Sequence, residues 1–112
     1  MLWRKEKINE LLKERIAELI FKSLTFPDNP LVTITKAEIA KRGRAHAKIY
    51  VSVLPDEKGK EVLKILEDNI YKLQKSLDKQ LFMRPVPKIR FLLDRQGEYF
   101  SKISRLLKKS GS

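Results

Sequence analysis

Cysteine is absent from this chain, which excludes disulfides and thiolate metal sites. Histidine occurs once, at His46. A lone imidazole without a second histidine or a carboxylate pair is a poor start for a metal site. No second group is placed to orient it for proton transfer, so the plainer reading of His46 is a surface strand residue. No run approaches the roughly 18 apolar residues of a membrane span. The opening MLWRKEKINELL is charged from the outset and lacks a signal-peptide core. Glycine is missing at the spacing a phosphate loop needs ahead of Lys58-Gly59-Lys60, which leaves that tripeptide as a loop or first-turn feature. These absences predict a cytoplasmic, non-catalytic protein with no metal, no cofactor, no small-molecule substrate and no membrane contact.

Acidic residues are also scarce. Against 14 Asp+Glu stand 25 Lys+Arg, a net charge of +11 over 112 residues. Such an excess repels itself in a folded chain and is relieved by a polyanion. Nucleic acid is the commonest partner of that kind, and a merely soluble, highly charged protein is the plain alternative. The apolar content of 42% is enough for a globular core. The length fits one domain, read here as residues 1–109 followed by a flexible tail over 110–112.

Periodicity outlines the elements. Ile8, Leu11, Leu12, Ile16, Leu19 and Ile20 recur at three- and four-residue spacings, which predicts a helix from Arg4 to Ser23. Phe26-Pro27-Asp28-Asn29-Pro30 breaks it with a turn. Two strands follow, Leu31–Ala40 and Arg44–Leu54, joined around Gly43 as an antiparallel pair. In the second strand Ala47, Ile49, Val51 and Val53 share one parity, and His46, Lys48, Tyr50 and Ser52 the other, so one face is dry and one wet. In the first, Val32 and Ile34 disagree in parity with Ala37 and Ile39, which calls for a bulge or a switch of faces between Lys36 and Ala37. Asp56 is placed to cap a helix whose apolar stripe runs from Val62 through Leu81 to Phe82. A straight helix of that length would span about 36 Å, too long for a small domain, which predicts a bend or an overhang. Arg84-Pro85-Val86-Pro87 closes the helix. Lys88–Asp94 then reads as a third strand with Ile89, Phe91 and Leu93 inward, and Tyr99–Lys109 as a short amphipathic helix. Ile49, Val51, Leu66, Ile70, Ile89 and Phe91 are expected in the core. Trp3, Tyr99 and Phe100 read as packing residues.

The order α-β-β-α-β with a helical tail is that of the bacterial (type II) KH domain, an α+β fold with a three-stranded sheet that binds single-stranded nucleic acid. The candidate contacts are its cations and two aromatics. Lys41, Arg42 and Arg44 crowd the hairpin turn, and Lys48 and Tyr50 stand on the adjoining wet strand face. Lys36 belongs to the same basic run, in which Glu38 is the single acid. Lys72, Lys75 and Lys79 share one helix face, and Arg84, Lys88 and Arg90 continue the basic run. Phosphate is gripped by such charge, and Tyr50 and Tyr71 offer rings for base stacking or, equally, cover for an apolar edge. A solvated face is the bland reading for any single lysine. A rival class is a basic protein-interaction module that docks on an acidic partner through a sheet edge.

Thr33-Ile34-Thr35, Ala47-Lys48-Ile49-Tyr50-Val51-Ser52-Val53, Arg84-Pro85-Val86-Pro87-Lys88-Ile89-Arg90-Phe91 and Asp94, in that order and spacing behind a leading helix, resemble the ribosome-binding factor A family. The resemblance runs from about Lys5 to Leu107. It implies a KH-like fold, a monomer that binds 16S ribosomal RNA near the decoding region, and a role in late maturation of the bacterial small ribosomal subunit. In that family an Ala-x-Gly kink divides the second helical segment. This chain has Asn69-Ile70-Tyr71 there, without the glycine. A bend at this place is still expected, with Asn69 in left-handed backbone and Asp68 capping the second half. Such a start would offer its N–H groups to phosphate beside Lys72 and Lys75.

Overall fold

The computed structural model describes residues 2–40, 46–82 and 85–94, with side chains from Lys5 onward. The Gly43 turn with Lys41, Arg42 and Arg44, the side chain of Trp3, Arg84, the helix expected over Tyr99–Lys109 and the tail 110–112 all lie outside the described residues. The element order is helix α1 (Leu2–Ser23), strands β1 (Leu31–Ile39) and β2 (His46–Leu54), a 3-10 turn (Asp56–Lys58), helices α2 (Gly59–Asp68) and α3 (Ile70–Gln80), and strand β3 (Lys88–Leu93).

The three strands form one sheet in the order β1-β2-β3. β1 runs antiparallel to β2, and β3 runs parallel to β2 on its other side. The helices pack on one face. α1 lies against β1, α2 against β2 and β3, and α3 against α1 and β3. Each element turns its apolar stripe to the space between the layers. Leu12, Ile16, Ile39, Ile49, Val51, Val62, Leu66, Leu73 and Leu77 are all at 1% exposure or less. Of the six expected core residues, Ile49, Val51, Leu66, Ile89 and Phe91 are buried. Ile70 is only half-buried against the core, because it is the first residue of α3 and sits beside the break.

The parity conflict in β1 is resolved by a bulge. The register shifts between Ile34 and Lys36, slightly earlier than the sequence suggests, so Thr35 is the extra residue. The shift lets Ile34, Ala37 and Ile39 all be buried on the inner face. The Thr35 hydroxyl donates to the Asp94 carboxylate at 2.7 Å and the Asp94 N–H donates to the Val51 carbonyl at 2.7 Å, which ties the end of β3 to β1 across β2.

The long helical segment is divided at Asn69, inside the window where the bend is expected. The means differ. Asn69 has φ −106° and ψ 7°, not left-handed backbone. No side chain caps the start of α3. Instead the Asn69 side-chain amide donates to the Ile65 carbonyl at 2.8 Å, an acceptor that also receives the Asn69 backbone N–H at 3.2 Å, so Asn69 is tied twice to the end of α2. Asp56 likewise is not the cap. It is the first residue of the 3-10 turn, which follows Pro55, and Lys58 holds the cap position of α2 without a side-chain bond. Buried Gly59 starts α2; a Cβ there would stand 3.3 Å from a Leu93 methyl, so its role is close packing beneath β3. Leu93 is correspondingly only half-buried. α3 ends at Gln80, short of Phe82, because Leu81 turns extended to bury its side chain while Phe82 stays fully exposed.

Two carboxamides close the sheet edges. The Asn9 side-chain oxygen accepts from the Ile39 N–H at 3.0 Å. Gln74 serves β3 twice, since its Oε1 accepts from the Ile89 N–H at 2.9 Å and its Nε2 donates to the Pro87 carbonyl at 3.0 Å. Gln74→Ala would leave both backbone groups without these partners at a part-buried edge. The expected cost is about 1–3 kcal/mol, read as a lower urea midpoint with an unchanged slope.

The turn after α1 places Asp28 and Asn29 at positive φ, 64° and 47°, a conformation these two residue types tolerate better than most. Lys58 reaches back to Asp28 at 2.6 Å. That hydrogen bond, followed by the charge, holds the Asp28 carboxyl below its ordinary range. A lowered folded-state pKa contributes stability that is present above the unfolded carboxylate pKa and is lost as the pH falls through the folded one. The pair is exposed, so the contribution is small. An NMR titration should place the Asp28 midpoint below that of the Lys58→Ala variant.

Candidate nucleic-acid interface

The face of the sheet turned away from the helices collects the cations. Strand alternation sends the side chains of His46, Lys48 and Tyr50 to this side of β2. Register then decides their neighbours. His46 stands opposite Lys88, Lys48 lies between Glu38 and Arg90, and Tyr50 lies between Lys36 and Leu92. His46, Lys48, Lys88, Arg90 and Lys36 are exposed, and Tyr50 is half-buried. The Lys36 ammonium stands 5.8 Å from the centre of the Tyr50 ring, within cation–π range. Lys36 also pairs with Glu38 at 2.9 Å, and that hydrogen bond and charge raise its pKa above the ordinary lysine value. Among the described residues no carboxylate pairs with Lys48, Lys88 or Arg90. Their charge faces solvent, where a phosphate chain can meet it.

A second cationic group lies on α3. Leu73 and Leu77 point to the core, so the helical repeat carries Lys72, Lys75 and Lys79 to the opposite side, where all three are exposed. Tyr71 is 70% exposed, and the Lys75 ammonium stands 4.8 Å from its ring centre. Asp78 is the acid of this helix, half-buried and held by Gln74 at 3.0 Å.

The candidates read from the sequence thus fall into three sets. Lys48, Tyr50, Lys88 and Arg90 come together on the sheet. Lys72, Lys75 and Lys79 form a separate group on the outer side of the helix layer, with the core between the two. Lys41, Arg42, Arg44 and Arg84 lie outside the described residues. The structure places Lys36, already part of the basic run, and His46 in the sheet group. Their parity was legible, but their partners across the strands were not. Gln74 gave no signal at all, since nothing in a helical pattern marks a polar residue that meets a strand edge.

Elsewhere, an apolar groove of about 710 Å³ runs between the end of α1 and the first half of β1, lined by Phe21, Leu24, Phe26 and Leu31 among others, with Glu18 its one ionisable group. Among the described residues it contains none of the candidate cations. Among the described residues no cluster of His, Asp or Glu could hold a metal ion, and no helix is long and apolar enough to cross a membrane.

A three-stranded mixed sheet, helices on one face, a divided second helical segment and a basic open face define a KH-like α+β binding domain. The chain belongs to the ribosome-binding factor A family, whose model matches residues 4–107. Ribosome-binding factor A of Geobacter metallireducens is 34% identical over 113 residues, covering 100% of this chain and 95% of the relative. The crystal structure of ribosome-binding factor A from Thermus thermophilus superposes with a TM-score of 0.67 at 28% identity, over 80% of this chain and 93% of that one. A homology model of the Thermus thermophilus factor, fitted into a cryo-EM map of a 30S–RbfA complex, gives 0.64 at 29% identity, over 78% and 91%.

Proposed function

We propose that this chain is a non-catalytic RNA-binding assembly factor of the bacterial small ribosomal subunit, acting on 16S rRNA during late maturation and processing. The observation that carries the reading is the outer sheet face, where the half-buried ring of Tyr50 lies between Lys36 and Leu92, and Lys48, Arg90 and Lys88 follow along the same face, Arg90 opposite Lys48 and Lys88 opposite His46. The charges suit phosphates and the ring suits an unpaired base. Family membership supports the reading, as does the fitting of a similar protein into a map of a 30S complex. The factor works in the cytoplasm as a monomer. It favours one rRNA conformation by binding that conformation more tightly than its alternatives.

Co-sedimentation with purified small subunits, immature and mature, over a series of salt concentrations tests this. Retention on immature particles is expected, and it should fall steeply with salt, with a log-log slope close to one for each phosphate that the protein neutralises. Salt-insensitive retention would instead favour the protein-docking reading. That reading finds its own support in the apolar groove beside edge strand β1, where Phe21 is 88% exposed.

A further inference from the structure

We propose that the chain holds two RNA segments at once, one on the open face of the sheet and one on the outer side of α3. The inference rests on the RNA-binding reading above and adds its valency. Each side carries the same combination. On the sheet, Lys36 stands by the ring of Tyr50, and Lys48, Arg90 opposite it and Lys88 opposite His46 extend the same face away from the ring. On α3, Lys75 stands by the ring of Tyr71, with Lys72 and Lys79 on the same face. A ring for a base and several cations for the flanking phosphates make one single-strand subsite, and the molecule has the set twice.

The two sets cannot serve one flat interface. Leu73 and Leu77 on the inner side of α3 and Ile49, Val51 and Phe91 on the inner side of the sheet fill the space between them. Among the described residues, one route for a single strand joining the two turns around the outer edge of β3. Among the described residues that edge meets the neutral Gln74, bonded to Pro87 and Ile89, and beside it the carboxylate of Asp78. No cation of α3 faces it, and an acid there opposes a phosphate path. Two separate segments fit this charge distribution better than one wrapped strand. Simultaneous engagement would hold the two segments at a set separation and raise the effective concentration of each for the other.

The test uses oligouridylates of about eight nucleotides, within the span of a single-strand subsite, one batch with a donor dye and one with an acceptor. The wild-type chain should bind two equivalents and give energy transfer between the dyes. The variant Lys48→Glu/Arg90→Glu should bind one equivalent, lose the transfer, and keep the remaining affinity within about twofold, as expected of sites that do not share partners. Lys72→Glu/Lys75→Glu/Lys79→Glu should do the same for the other site. The corresponding glutamine variants, with unfolding midpoints matched to wild type, guard against loss of fold. A single equivalent, weakened by both sets of substitutions, would overturn the two-segment proposal and leave RNA binding standing. Absence of any oligouridylate binding by the wild-type chain, together with salt-insensitive retention on subunits, would overturn both.

Discussion

Phe91→Ala is expected to lower the unfolding free energy by about 3–5 kcal/mol. Phe91 is 2% exposed and lies on the inner face of β3, directly opposite Ile49 of the central strand. Its ring fills the layer between the sheet and the helices, where Leu66, Leu73 and Leu77 are also closed to solvent. Truncation removes the transfer free energy of the ring and leaves a cavity whose walls belong to several different elements, so collapse around it is incomplete. A domain of this size commonly has only about 5–15 kcal/mol in hand, so the variant should sit near the edge of folding. Equilibrium urea denaturation reads the loss directly. Phe91→Leu keeps most of the volume and should cost less than about 1.5 kcal/mol. A loss below about 1 kcal/mol for the alanine variant would mean that the ring is not central to the core.

Reversing the sheet cations together, as Lys48→Glu/Lys88→Glu/Arg90→Glu, should weaken binding to small subunits at least about tenfold, or about 1.4 kcal/mol. All three side chains are exposed, so stability should change little while the charge of one face is inverted. Substitution to glutamine instead should lower the salt slope by close to one for each phosphate no longer neutralised. The two readouts separate a binding role from a structural one, because a merely structural lysine would move the unfolding midpoint and leave the slope alone. Unchanged binding by a folded triple variant would remove the interface from the sheet.

The helix break shows where local and global reasoning part. The stripe Leu66, Ile70, Leu73 and Leu77 continues without a proline, and from it alone the helix is unbroken. The excess length over a three-stranded sheet and the resemblance to the family both call for a division, and α2 and α3 are divided at Asn69. The device was not legible. A left-handed asparagine was the natural substitute for a glycine, whereas the residue adopts an allowed right-handed geometry and stabilises the junction through its side-chain amide. The choice depends on how α3 is drawn toward α1 and β3, which no local pattern encodes. The same limit explains Asp56, which had the right residue type for a cap but stands inside a 3-10 turn.

What the sequence determined by itself is the orientation of each element about its own axis. The period-2 alternation of β2 settled that Lys48 and Tyr50 are wet and Ile49 and Val51 dry, and the three- and four-residue spacings of α1 and α3 settled which side of each helix is buried. These are local properties, because burial of an apolar stripe is favourable against almost any partner. The tertiary structure alone decided which wet residues meet. The parallel register of β3 on β2 sets Arg90 beside Lys48 and Lys88 beside His46, and the bulge at Thr35 keeps Lys36 beside Tyr50. The packing of α3 against α1 and β3 carries its lysines to the far side of the core from the sheet cations. Register between distant segments is selected by how inner side chains such as Phe91, Ile49 and Leu73 fit together. The outer residues, which bear the charge, follow a choice made on the opposite face.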